Sequence, residues 1–165
     1  NTRKLSIRDY KACSQNEARP ISFDGIYNCL NLREVYAERL MAPPILSGIE
    51  FCTKLETINI NVVYTGEQPM NITRLSSLPC LESIRIDSTS YARKMLIETD
   101  GLDLSECKSL ESLTICPTSK DLRFLGSIQL KKLEIPYSGI ESLEGLDITN
   151  LRSIDFRYNK ISFIN

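Results

Sequence analysis

Residues 52–60 read CTKLETINI and residues 107–115 read CKSLESLTI, one frame of Cys-x-x-Leu-x-x-Ile/Leu-x-Ile written twice with different letters between. Counted from its first leucine, the apolar pattern recurs six times: Leu32/Val35/Ala37, Leu55/Ile58/Ile60, Leu81/Ile84/Ile86, Leu110/Leu113/Ile115, Leu130/Leu133/Ile135 and Leu151/Ile154/Phe156. The spacings, by subtraction, are 23, 26, 29, 20 and 21 residues. A strand's period of two sends the last two apolar side chains of each frame to one face and the residue between them to the other. One unit has nothing to bury that face against. Stacked units bury it on each other, each strand pairing in parallel with the next while the chain returns along the opposite side.

The last two units, LKKLEIPYSGIESLEGL at 130–146 and LRSIDFRYNKISFI at 151–164, follow L-x-x-L-x-L-x-x-N/C-x-L most closely. On these residues the whole chain resembles the leucine-rich repeat superfamily, and the two units are similar to the short units of internalin-type proteins. The asparagine position falls on Asn159, with Ser138, Thr118 and Thr89 in the three units before it, all able to hydrogen-bond backbone inside the turn. In the two earliest units it falls on Leu40 and Val63, a departure from the pattern. Cys29, Cys52 and Cys107, each three residues before a frame, are similar to the cysteine-containing repeats of ubiquitin-ligase substrate-recognition subunits. The resemblance implies an α/β fold: a leucine-rich repeat solenoid, or horseshoe, with a parallel β-sheet on its concave face and helices, 3-10 turns or loops on its convex face. Strands are expected near 33–38, 56–61, 82–87, 111–116, 131–136 and 152–157, with about six units over 29–165 and a partial or divergent repeat over 1–28.

Within 1–28, RKLSIRDY at 3–10 mirrors KKLEIPYS at 131–138 and predicts an earlier, seventh strand with Leu5 and Ile7 inward. The chain is accordingly expected to belong to a larger solenoid or complex. The longer spacings have local explanations. NVVYTGEQP at 61–69 is a loop broken by Gly66 and Pro69, after which Asn71 is placed to cap a short helix presenting Ile72, Leu75 and Leu78. YARKMLIE at 91–98 is expected to form a helical turn or two, ended by Asp100-Gly101. These segments predict a solenoid thickest in its middle.

Composition narrows the function. A formal net charge of −1 lacks the electrostatic footprint of a nucleic-acid binder, and no apolar run approaches the ~20 residues of a membrane span, so neither partner is expected. The absence of histidine excludes imidazole-based triads, His-ligated metals and His proton shuttles. Cys13, Cys29, Cys52, Cys80, Cys107 and Cys116 stand singly, without the paired spacing of a zinc or redox motif. ETDGLDLSE at 98–106 lacks the ligand order of a calcium loop, and the seven glycines form no phosphate-cradling loop. No catalysis, metal or cofactor is expected. The cysteines favour an intracellular setting, cytoplasmic or nuclear; a cell-surface setting, with disulfides and a glycan on the Asn71-Ile72-Thr73 sequon, is the alternative.

The residues that the repeat leaves unconstrained are the candidates for function. One outward column is Tyr36, Asn59, Arg85, Thr114, Glu134 and Asp155; a second, two residues on, is Glu38, Asn61, Asp87, Cys116, Pro136 and Arg157. Mixed charge on a rigid strand surface suits another protein as partner better than a phosphate backbone. The resemblance implies a non-catalytic protein-interaction module using the concave face. The alternatives are a ubiquitin-ligase substrate receptor, a regulatory repeat region of a larger multidomain protein, and an adhesion or receptor repeat.

Overall fold

The computed structural model describes residues 2–8, 20–63, 68–88 and 95–162. Its strands are β1 (Lys4–Arg8), β2 (Glu34–Leu40), β3 (Thr57–Val62), β4 (Met70–Asn71), β5 (Ser83–Ser88), β6 (Leu96–Glu98), β7 (Ser112–Thr114), β8 (Cys116–Pro117), β9 (Lys132–Glu134) and β10 (Ser153–Asp155). Seven of them form one parallel sheet in the order β1-β2-β3-β5-β7-β9-β10, and β4-β6-β8 form a second parallel sheet within the return segments. The protein is a parallel-strand β-solenoid. Its described helical segments are four short 3-10 turns, Ile26–Asn28, Ile49–Phe51, Thr73–Ser77 and Arg123–Leu125.

The frame residues pair as the apolar pattern requires. Val35, Ile58, Ile84, Leu113 and Leu133 occupy one row in register, and Ala37, Ile60 and Ile86 a second. All eight are fully buried. At the sheet's two ends the same positions open: Leu5 and Ile7 on β1 and Phe156 beyond β10 are half-buried, and Ile154 is 48% exposed. A rung buries its apolar side chains only when another rung lies on each side of it. The expected strand carrying Leu5 and Ile7 is therefore present, whereas Ile154, expected inward and buried, is not covered.

A carbonyl at the entry to each strand sets this register. The oxygen of Glu56 accepts from Glu82 N (2.8 Å) and Ser83 N (3.0 Å), and that of Glu82 accepts from Glu111 N (2.9 Å) and Ser112 N (3.1 Å). Arg3, Arg33, Glu111 and Lys131 accept two N–H groups in the same way, so the device links all seven strands.

The return to β2, β3, β5 and β7 runs in steps of three. Ile26 N donates to Phe23 O, Cys29 N to Ile26 O and Leu32 N to Cys29 O, at 2.8–2.9 Å. The same steps link Leu46, Ile49, Cys52 and Leu55, and then Ile72, Leu75, Leu78 and Leu81. Three residues per turn is the 3-10 period, so an apolar residue at every third position falls on one face and packs inward. Gly25 and Gly48 open two of these turns at φ 92° and 87°, a left-handed conformation that glycine adopts without a Cβ clash. The cysteines of the opening frame sit in this staircase. Cys52 Sγ lies 3.6 Å from Ile26 O, and Cys107 Sγ lies 3.4 Å from Leu75 O, so each buried thiol donates weakly to the preceding turn.

Two expectations for the return side change. Residues 91–94 and Thr89 lie outside the described residues, but the described end of YARKMLIE is strand β6 rather than helix. Buried Met95 and Ile97 flank exposed Leu96, the alternation of a strand, and β4 and β8 supply the pairing that overrides helix propensity. The expected helix after Asn71 is the 3-10 turn Thr73–Ser77, entered through a hydrogen bond from Thr73 N to Asn71 Oδ1 (3.0 Å), with Ile72, Leu75 and Leu78 buried as expected.

Position along the stack should set the cost of removing an inward side chain. Leu110→Ala, in the interior, should lose ~2–5 kcal/mol in urea unfolding, whereas Ile154→Ala at the open end should lose less than about 1 kcal/mol.

Candidate protein-interaction surface

The strand pairing assembles the first predicted column in full. Tyr36 pairs with Asn59, Asn59 with Arg85, Arg85 with Thr114, Thr114 with Glu134 and Glu134 with Asp155. Ser6 on β1 extends the column beyond Tyr36. Thr114 departs from the expectation of an open position, being only 7% exposed. It is short, it lies between strands bearing Arg85 and Glu134, and its Oγ1 donates to Glu134 Oε2 at 2.9 Å.

The second column is assembled only in part. Asn61 pairs with Asp87, but the β2–β3 register shifts between Ala37 and Leu40, with Arg39 at φ 57°, so Glu38, which pairs with Arg8 on the β1 side, is out of register with Asn61. The expected strand 111–116 ends at Thr114, and Cys116 leaves the main sheet for β8 of the second one. Cys116 lines the trough of the outward face, as expected, but is buried there with its Sγ 3.2 Å from Pro136 O and not open to solvent. Pro117 has no N–H to donate, and β8 lies at the edge of its sheet, where that costs nothing.

Small residues in the middle of the face leave a trough of about 300 Å³ lined by Arg85, Asp87, Thr114, Cys116, Glu134, Pro136, Asp155 and Arg157 among others. Its charges form two groups, one around Arg85 and Glu134 and the other the pair Asp155 and Arg157. Arg85 bonds Asp87 at 2.6 Å and reaches across β7 to within 3.8 Å of Glu134, while Asn61 Nδ2 donates to Asp87 Oδ1 at 2.7 Å. Lys132 pairs with Glu134 at 2.9 Å, and Arg157 holds Asp155 through its Nε, its NH2 and its backbone N–H. Burial pushes the Glu134 carboxyl up, but hydrogen bonds from Lys132 and Thr114 and the charges of Lys132 and Arg85 outweigh it and leave the group below the usual carboxylate range. Asp155 is also held low, by the Arg157 side chain and then its backbone N–H. At the opposite end of the sheet the Lys4 ammonium sits 4.2 Å from the centre of the Tyr36 ring.

A third row went unread in the sequence. The residue after the first leucine of every frame is charged: Arg33, Glu56, Glu82, Glu111, Lys131 and Arg152. These are the entry-carbonyl residues and the N–H donors that follow them, so they stand one strand apart along the entry edge of the main sheet, with Arg3 preceding them, and their side chains reach solvent there. Arg33 pairs with Glu56, and Lys131 with Glu111. Glu56, Glu82 and Glu111 are consecutive, and like charges ~4.8 Å apart repel by on the order of 1 kcal/mol even in water. The signal that would have found the row is the invariant charge beside the leucine.

Other predicted features are placed as follows. Asn159 lies in the turn after β10, its Nδ2 donating to Ile135 O (2.6 Å) and Phe156 O (3.0 Å) and its Oδ1 accepting from Ser138 N (3.1 Å) and Ile140 N (3.0 Å). Thr118 Oγ1 accepts from Thr99 N (3.3 Å), and Ser138 Oγ donates to Pro136 O (3.1 Å). Asn71 is exposed on β4 with its Nδ2 donating to Glu98 Oε2 at 2.8 Å. Leu40 and Val63 differ in kind from these polar positions: Leu40 is buried in the core and its carbonyl accepts from Val63 N at 2.7 Å.

Compared with known protein families, curated proteins and solved structures, the chain matches none. Among the described residues no group of three or more Cys, Asp or Glu side chains is placed to hold a metal ion, and no helix is long and apolar enough to cross a membrane.

Two predictions concern these groups. Because Glu134 and Asp155 titrate low, their contribution to stability is complete above the ordinary carboxylate pKa and is lost as pH falls through the depressed folded values. NMR resonances of Thr114 and Arg157 should therefore stay unchanged from pH 8 to about 5 and move only below ~4. Burial pushes the Cys107 thiol up to about 11, so it is protonated at neutral pH. Thiol labelling mapped by mass spectrometry at pH 8 should modify exposed Cys80 at once and Cys107 only on unfolding.

Proposed function

We propose that this chain is a non-catalytic protein-interaction module of the leucine-rich repeat type, its outward sheet surface forming the concave binding face of a horseshoe and its partner being another protein. The observation that carries this reading is the division of labour along the strands. The inward positions repeat one apolar chemistry, while Tyr36, Asn59, Arg85, Thr114, Glu134 and Asp155, paired strand to strand, repeat none. Apolar inward residues carry the fold, so the outward ones are free to be chosen for a partner. The kinship with leucine-rich repeats is supported by the six frames and by Asn159, which ties two successive turns together through four hydrogen bonds. Tyrosine and arginine, both enriched at interface hot spots, lie on the same face.

Exchanging the charges in the double variant Arg85→Asp/Asp87→Arg tests the reading. The exchanged pair remains able to bond to itself, so the melting temperature should move by no more than about 4 °C. Affinity for a partner captured with the wild-type chain and identified by mass spectrometry should fall at least tenfold in calorimetry. Unchanged affinity in the folded variant would place the contact on the return side and overturn the use of this face.

A further inference from the structure

The entry row orders its charges by sign along the stack. Arg3 and Arg33 are basic, Glu56, Glu82 and Glu111 are acidic, and Lys131 and Arg152 are basic. The outward strand residues are balanced within each third, Lys4 and Arg8 against Glu34 and Glu38, Arg85 against Asp87, and Lys132 and Arg157 against Glu134 and Asp155, so the entry row beside them sets the sign of each third. Over β1 and β2 the face carries Arg3, Lys4, Arg8 and Arg33 against Glu34 and Glu38. Over β3, β5 and β7 it carries Glu56, Glu82, Asp87 and Glu111 against Arg85 alone. Over β9 and β10 it carries Lys131, Lys132, Arg152 and Arg157 against Glu134 and Asp155.

Folding does not call for this segregation. Alternating signs along the row would pair every residue with its neighbours, whereas here Arg33–Glu56 and Glu111–Lys131 are the ion pairs formed within the row, at its two boundaries, and Glu82 stands between two other glutamates. From these positions we propose that the face docks an extended segment of another protein whose charges run acidic, basic, acidic along the stack. The proposal rests on the binding reading given above and names the partner's chemistry.

Charge complementarity also excludes a second copy as occupant. The pattern is the same read from either end. Both two-fold ways of laying this face on itself therefore set basic third against basic third and acidic third against acidic third. Distance fixes the partner's scale. Six strand spacings of ~4.8 Å make about 29 Å, which an extended chain at roughly 3.4 Å per residue covers in about nine residues. The basic centre of that segment lies over Glu82, and its acidic ends meet Arg3 with Arg33 and Lys131 with Arg152.

The test uses two synthetic peptides, Glu-Asp-Gly-Lys-Arg-Lys-Gly-Asp-Glu and its charge-inverted counterpart Lys-Arg-Gly-Glu-Asp-Glu-Gly-Arg-Lys. Binding to the full chain is read by fluorescence anisotropy at low salt and mapped by amide shifts. The first peptide should bind at least tenfold tighter, with shifts on the outward face, and the advantage should vanish in Glu82→Lys/Glu111→Lys, whose folding is checked by thermal melting. Equal binding of both peptides on the outward face, or no binding of either, overturns the charge pattern and leaves the binding reading intact. Shifts confined to the return side overturn both. Concentration-dependent dimerisation through the outward face overturns the assignment of a different protein as partner.

Discussion

One backbone oxygen per turn governs this molecule. The carbonyl of the residue entering each strand accepts the first two N–H groups of the next, from Arg3 to Lys131, and so fixes how each turn sits on the one before it. A slip of one residue would turn every leucine and isoleucine of a strand from the core to solvent. With the register held, Leu32, Leu55, Leu81 and Leu110 bury one another, and the staircase of i to i+3 bonds delivers Cys52 and Cys107 to the same slot in their turns. A thiol suits that slot because it is small, apolar enough to bury, and able to donate weakly to the turn below.

The same constraint builds the outer surface. A charged residue at the entry position necessarily stands beside the charged residue of the next turn, so the order of signs along the chain becomes an order of signs in space. Short side chains do the rest. Thr114 and Cys116 lower the floor between Arg85 and Glu134, and the guanidinium of Arg85 spans the gap that they leave. The acids around it are bonded to arginine, lysine, asparagine or threonine within the chain, so the trough is a preorganised polar surface and not a set of loose side chains.

Much of the fold was legible in the residues because an apolar frame with a period of two inside a period of 20–29 residues has one economical burial, the stacking of parallel strands. All six expected strands, and the earlier one through Leu5 and Ile7, are present. The first outward column was legible for the same reason. What escaped was decided by neighbours. Leu96–Glu98 has helix-forming composition but extends because Met70–Asn71 and Cys116–Pro117 lie beside it, and Cys116 is buried under its neighbours because the chain leaves the main sheet after Thr114. The period-three staircase and the charged residue after each leucine were present in the letters. They took on meaning once hydrogen bonds showed which turns they join.

By itself, the sequence determined which residues face inward, since the position of an apolar side chain in a repeating strand depends on local spacing alone. It also determined the absence of imidazole chemistry, since the chain contains no histidine. Only the tertiary structure decided how charges far apart along the chain meet: Arg85 with Glu134, Arg33 with Glu56, Asn159 with the backbone of the turn before it. Those contacts depend on the rise and register of one turn on the next. That is a property of the stack, which no single repeat contains.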